Sequence, residues 1–381
     1  MKRVNLHFSK KVIFLFGAVL ALASCSKDEV ILPEPEPQPL NPKEVIGVYA
    51  LNEGAYSESD NGTSGSITFY DKQTQQTVGN FYEAVNEKAL GINANDLRNY
   101  GSKLYCVVTG TDGGENSYVD VMDASTGKSI KRINFFEGTS SYMPRFITFD
   151  AGKAYVSNYD GKVCRIDTAT LSIDGKVTIG KGLEGIVVAN QKIYVANSQH
   201  PFYEGKGNVV SVIDVATLTK VRDIEVAINP INLTATPAED VLVMSRGTYD
   251  ADWNFQNNAA ITRINTTTDL KVEEKKYNNG EVVSAVKTAN GLAYAYSATF
   301  FKHISLSDGM LGKDFISDET TVNTMYGLDI DDLSDDVYVS DANNYSATEG
   351  KVYCFDKAGK KKEEFATGAY PKNVAFRYSY K

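Results

Sequence analysis

The chain has 381 residues, with 39 Lys plus Arg against 48 Asp plus Glu, a formal charge of −9, and 23 Tyr and 17 Phe beside a single Trp. No long basic run lies outside the first residues, and with few clustered cations to neutralise phosphates the composition argues against an electrostatic reader of nucleic acid. Length alone suggests two domains, but β-architectures of this size fold as one, so the repeat pattern must decide.

Residues 1–24 carry Lys2, Arg3, Lys10 and Lys11 and no acid, so subtracting these four charges from −9 leaves −13 on the rest. Residues 12–23 form an apolar run too short to span a bilayer and suited to the core of an export signal. The run closes on Leu22-Ala23-Ser24-Cys25, which resembles the lipobox of bacterial lipoproteins. That resemblance implies a signal peptide over 1–24 and a membrane anchor on an acylated Cys25. Residues 25–44 read as a stalk, because Pro33-Glu34-Pro35-Glu36-Pro37-Gln38-Pro39 favours extended polyproline II. At about 3.1 Å per residue the stalk reaches roughly 60 Å. Ser26-Lys27-Asp28-Glu29 resembles the acidic surface-export signal of Bacteroidota-type lipoproteins, which implies a cell-surface location on the outer membrane.

From 45 to 381 one pattern recurs. A short β-run ends in a small polar residue, as in Val48-Tyr49-Ala50-Leu51-Asn52, Ala154-Tyr155-Val156-Ser157-Asn158, Ile193-Tyr194-Val195-Ala196-Asn197 and Val337-Tyr338-Val339-Ser340-Asp341. A second run follows, ending at Asp71, Asp123, Asp167, Asp214, Asn265, Ser305 or Asp356, with a tight turn expected after it. Each unit opens with a further short segment, often after proline, such as Pro144-Arg145-Phe146-Ile147 or Pro230-Ile231-Asn232-Leu233. There are seven units of about 48 residues, against roughly 40–45 for a compact four-stranded blade. Pro371-Lys372-Asn373-Val374 has nothing after it and the run at Val48 has nothing before it, so the C-terminal strand is expected to complete the N-terminal blade. The repeated Tyr-Val-x-Asn core with its Asp-x-x-Thr turns resembles the YVTN or YncE-like repeat family. The reading is an all-β, seven-bladed β-propeller closed by the C-terminal strand. Met244-Ser245-Arg246 and Tyr294-Ala295-Tyr296 depart from the repeat core.

The surplus length falls in the gaps between second and third strands, at 53–64, 110–117, 198–208, 247–259 and 342–350, which share one face with the starts of the inner strands. Loops on a rigid scaffold are where binding function usually sits. The candidate ligand-binding set on this face is Tyr56, Tyr142, Arg145, Asn158, Tyr159, Glu184, Asn197, Phe202, Tyr203, Arg246, Trp253, Phe255, Tyr326 and Tyr345. Rings interleaved with amides suit a large, flat, partly apolar ligand rich in hydrogen-bonding groups.

No catalytic residue is assigned: His200 and His303 are the only histidines after residue 24, and neither H-E-x-x-H nor G-x-S-x-G occurs. No metal site or cofactor is assigned either. Cys106, Cys164 and Cys354 read as buried, inert strand thiols. The acids at 329, 331, 332, 335 and 336 lack the order of a calcium loop and read as a solvated turn on the opposite face. Lipobox, acidic export signal, stalk and propeller together resemble the surface-exposed cobalamin-binding lipoproteins that partner TonB-dependent vitamin B12 transporters. The resemblance implies capture of a corrinoid and transfer to an outer-membrane barrel. Capture of a glycan or peptide for another transporter and a hydrolase or lyase using mouth acids such as Glu184 are the alternatives.

Overall fold

The computed structural model describes residues 41–200, 203–252, 254–278 and 283–380. Residues 1–40, over which a signal peptide, an acylated Cys25 and most of a stalk are expected, lie outside the described residues, as do Phe202 and Trp253.

Seven antiparallel sheets follow one another in chain order, numbered here as blades I to VII, each built on four strands, with the short strands Tyr56–Ser57 and Gly91–Ile92 added to blade I. In blades II to VII the strands run consecutively from the inner strand outward. In blade I the inner strand is Pro371–Tyr380, followed outward by Pro42–Asn52, Gly62–Asp71 and Gln76–Val78. The inner strands of all seven blades touch their neighbours in an unbroken cycle, so the C-terminal strand does close the ring. Pairing of Pro42 with Tyr380 starts the second strand of blade I at residue 42, three residues earlier than the sequence suggests.

Second strands are buried from both sides and therefore read as near-continuous apolar runs, as Lys153–Asn158 and Lys192–Asn197 do. Outer strands such as Ser172–Thr178 alternate exposed and half-buried positions, as a sheet margin with one wet face must. Tyr49, Tyr105, Tyr155, Tyr194, Tyr294 and Tyr338 occupy one repeated register of the second strands and are fully buried. Each contributes about 1.5–3 kcal/mol of burial. The Tyr194 hydroxyl donates to Asp269 Oδ1 at 2.6 Å, a residue of the next blade.

The expected turns after the third strands are present. Asp71 Oδ1 accepts the N–H groups of Gln73 and Thr74 at 3.0 and 2.8 Å, and Asp167 Oδ1 those of Ala169 and Thr170 at 3.0 and 2.7 Å. Cys106, Cys164 and Cys354 are buried free thiols, and burial pushes the Cys164 thiol up to about 12. The reading of the acidic turn as solvated holds for Asp332, which is exposed, and in part for the half-buried Asp335, but not for Asp329, Asp331 and Asp336, which are buried. Asp331 accepts from Ser334 and, at 2.8 Å, from the Tyr378 hydroxyl, while Asp336 meets Lys362 at 2.6 Å.

Candidate functional site

Two registers of the repeat position the upper face. The first is the residue after each second strand: Glu53, Thr109, Tyr159, Ser198, Arg246, Ser297 and Ala342. In six blades its backbone N–H donates to the carbonyl of the residue just before an inner strand, as Tyr159 does to Met143 at 3.0 Å and Arg246 to Asn229 at 3.1 Å. Five of those acceptors, Asn93, Met143, Gly182, Asn229 and Tyr370, have left-handed backbone, with φ of 57, 57, 73, 64 and 54°. This clasp fixes the first ring of side chains whatever they are.

The second register is the second residue of the inner strand in six blades, which gives Lys372, Asn95, Arg145, Glu184, Ile231 and Tyr326. In every blade but VI the ladder slips there, leaving an extra residue on the inner strand. Such bulges re-aim a side chain beside a site. Here they turn charged and phenolic groups toward the channel mouth.

Two ionic clusters result. Arg145 Nε meets Glu184 Oε2 at 3.1 Å, the Tyr159 hydroxyl donates to Glu184 Oε1 at 2.8 Å, and the Arg145 guanidinium lies 4.6 Å over the Tyr159 ring. On the other side the Tyr326 hydroxyl donates to Glu53 Oε2 at 2.7 Å, and Lys372 Nζ stands 3.7 Å from that oxygen and donates to Asn95 Oδ1 at 2.7 Å. Burial pushes the Glu53 carboxyl up, but Lys372, the Tyr326 hydroxyl and Arg145 outweigh it and hold it below its ordinary value. Burial lowers Lys372, and Arg145 adds to that. Deeper in the channel Arg98 bridges Asp96 and Asp329 at 2.9 and 3.0 Å, and Lys287 reaches the same Asp329 oxygen at 3.2 Å.

Outside the mouth lie two basins. The larger, about 1340 Å³, is lined by His200, Tyr203, Arg246, Tyr249, Tyr345 and hydroxyl and amide residues including Gln199, Ser284, Ser297 and Thr299. The smaller, about 470 Å³, is lined by Tyr56, Asn93, Thr111, Arg145, Tyr159, His200 and Tyr203 among others. The ridge between them is a ring cluster, with Tyr159 stacked on Tyr203 at 5.3 Å and the His200 ring tilted against both, 4.3 Å from Tyr159 and 4.9 Å from Tyr203. Burial lowers the His200 imidazole, and Arg145 and Arg246 together work in the same direction against Glu184. Tyr345 is 56% exposed and held in left-handed backbone at φ 60°, its carbonyl accepting from the Tyr370 hydroxyl at 3.0 Å. A bulky side chain is strained in that conformation, and strain of this kind gathers at ligand clamps.

Of the sequence-predicted residues, Tyr56, Arg145, Tyr159, Tyr203, Arg246 and Tyr345 line the basins. Glu184 and Tyr326 support them from the mouth. The Phe255 ring lies tilted against Tyr249 at 4.6 Å and steadies the hairpin of Thr248–Tyr249 with Phe255–Asn257. Three placements differ from expectation. Tyr142 is buried between blades, its ring flanked by Lys162 and Lys176 at 4.6 and 4.7 Å. Asn158 and Asn197 are fully buried: Asn158 Nδ2 donates to the Val156 and Lys162 carbonyls, and Asn197 Oδ1 accepts the Lys206 N–H at 2.7 Å. These asparagines tie the loops down. Sequence reasoning missed Glu53 and Lys372, although both fall in the two registers that repeat from blade to blade. His303 lies in the strand Phe301–Ile304, 5.2 Å from the Tyr294 ring. Among the described residues no group of three or more His, Cys, Asp or Glu is placed to hold a metal ion.

Residues 46–376 match the model of a family described as a domain of unknown function, DUF5074. The chain belongs to the DUF5074 family. No curated protein matches it. Among solved structures this DUF5074 chain is similar to hydrazine synthase of Kuenenia stuttgartiensis, at 16% identity and a TM-score of 0.51, over 71% of this chain and 78% of that one. It also matches BamB from Moraxella catarrhalis at 14% identity and a TM-score of 0.47, over 73% and 74% of the two chains. At these identities the likeness to hydrazine synthase is one of fold.

Proposed function

We propose that this protein is a non-catalytic capture protein that takes a corrinoid, cobalamin foremost, on its loop-bearing face and passes it to a TonB-dependent outer-membrane transporter. In this reading the lipid on Cys25 holds it at the cell surface. The large basin carries the proposal. At about 1340 Å³ it exceeds the roughly 300–1,000 Å³ of sites for drug-sized ligands. Its rings offer flat apolar contact, and its amides and hydroxyls suit a ligand edged with amide groups. Cobalt in a corrinoid already has its ring ligands, so the site need supply none.

Titration with cyanocobalamin at micromolar protein, read by visible absorbance and calorimetry, tests this. Saturable binding is expected, weakened at least tenfold in Tyr203→Ala with the far-ultraviolet circular dichroism unchanged. Saturable binding of a glycan or peptide, with none of cyanocobalamin, would replace the ligand. Hydrolytic turnover without saturable binding would make the protein an enzyme.

A further inference from the structure

Arg246 differs from the other arginine of the face. Arg145 is neutralised by Glu184, whereas no carboxylate among the described residues stands within ion-pair distance of Arg246. Two acids line the same basin and leave it alone. Asp250 is occupied by the N–H groups of Asp252 and Asn254 at 3.0 and 2.9 Å and by Gln256 Nε2 at 3.0 Å, all within its own hairpin. Glu204 is exposed and forms no ion pair among the described residues. Arg246 breaks the repeat, standing in the fifth blade where the others place Glu53, Thr109, Tyr159, Ser198, Ser297 and Ala342. Its backbone is pinned by the clasp to Asn229, so the side chain starts from a fixed point beside the His200 and Tyr203 ridge.

A ligand that fills the large basin takes this guanidinium out of water. Covering a charge without providing a partner is costly, and the cost falls away only if the ligand brings the opposite charge. A guanidinium presents a planar fork of donors that matches two oxygens of a phosphate or carboxylate at once. We infer that the larger basin recognises a ligand bearing an oxyanion, a phosphate ester or carboxylate, which docks on Arg246 while the ligand's flat body lies on Tyr203, Tyr249 and Tyr345. This rests on the reading of the face as a capture site and narrows the ligand's chemistry. It also gives the site a selective element, because a neutral analogue of the same shape would bury Arg246 unpaired.

Cyanocobalamin carries a phosphodiester and dicyanocobinamide has the same ring without it, so the two corrinoids separate ring contact from oxyanion contact. The inference expects Arg246→Gln to weaken cyanocobalamin about ten- to a hundredfold and to leave dicyanocobinamide binding as tightly or more tightly, with Arg246→Lys in between. Raising salt should weaken cyanocobalamin in the native chain and lose that effect in Arg246→Gln. Equal affinities for both corrinoids in native and Arg246→Gln chains would overturn the oxyanion site and leave corrinoid capture standing. If the native chain binds neither corrinoid, the corrinoid reading falls, and pyrophosphate decides the rest. A rise in melting temperature with millimolar pyrophosphate over a sodium chloride control of equal ionic strength, absent in Arg246→Gln, keeps the site. An equal rise in both chains, or none, overturns it.

Discussion

Glu53 is held as a carboxylate in a half-buried place by a lysine, a phenol and an arginine from three other blade elements. Its folded pKa lies below the ordinary 4.5, so it contributes stability that is fully present above about pH 4.5 and is lost as pH falls through the folded value. Glu53→Gln removes the charge and leaves Lys372 buried beside a neutral group. The variant should lose about 1–3 kcal/mol at pH 7 in urea unfolding, and the gap to the native protein should narrow as pH falls through the lowered folded value. Residues of this kind were hard to read from the sequence. Tyr159 and Arg246 announce themselves as a ring and a cation in a loop, whereas Glu53 and Lys372 matter only because closure of the ring brings the two ends of the chain together. Asn158 and Asn197 show the reverse error. A repeated amide at a strand end looks like a ligand contact, yet a position shared by several blades serves what the blades share, the tying of the loop to its own strand.

At the scale of elements, strand order and blade boundaries were legible because apolar periodicity and Asp-led turns depend on neighbours a few residues away. The bulges on six inner strands were not, since a slip of one residue depends on the partner strand. Gly327 follows the bulge at Tyr326, and a Cβ there would sit 1.7 Å from the Lys372 carbonyl oxygen. Gly327→Ala must push two inner strands apart, so a loss of about 3 kcal/mol is expected, seen as a lowered melting temperature. The helix Phe81–Asn86 also escaped the sequence reading: six residues hold less than two turns, too few for a periodicity. It is held by packing. Tyr82 is fully buried and donates to Asp120 Oδ2 at 2.6 Å, and Phe81 lies 5.0 Å from Phe69, so the helix fills the join between blades I and II.

For the whole molecule, ring closure is the cooperative unit. Removing residues 371–381 takes away the inner strand of blade I, the Val374 and Phe376 side chains of its core and Lys372 at the mouth. The truncated chain should lose its single unfolding transition and bind a hydrophobic dye, measured by calorimetry and fluorescence. A control ending at residue 380 should melt as the native chain does. The closure has a mechanical side as well. Pro42–Asn52 lies second in its blade, bonded along one edge to Pro371–Tyr380 and along the other to Gly62–Asp71, and its first residue emerges on the side away from the basins. A pull delivered through the residues ahead of Pro42 therefore runs along the strand axis and loads two ladders in shear. All the cross-strand bonds must yield together, where a terminal strand on the outer rim would peel away one bond at a time. Tension is thus borne by a strand gripped along both edges, on the side of the ring away from the basins.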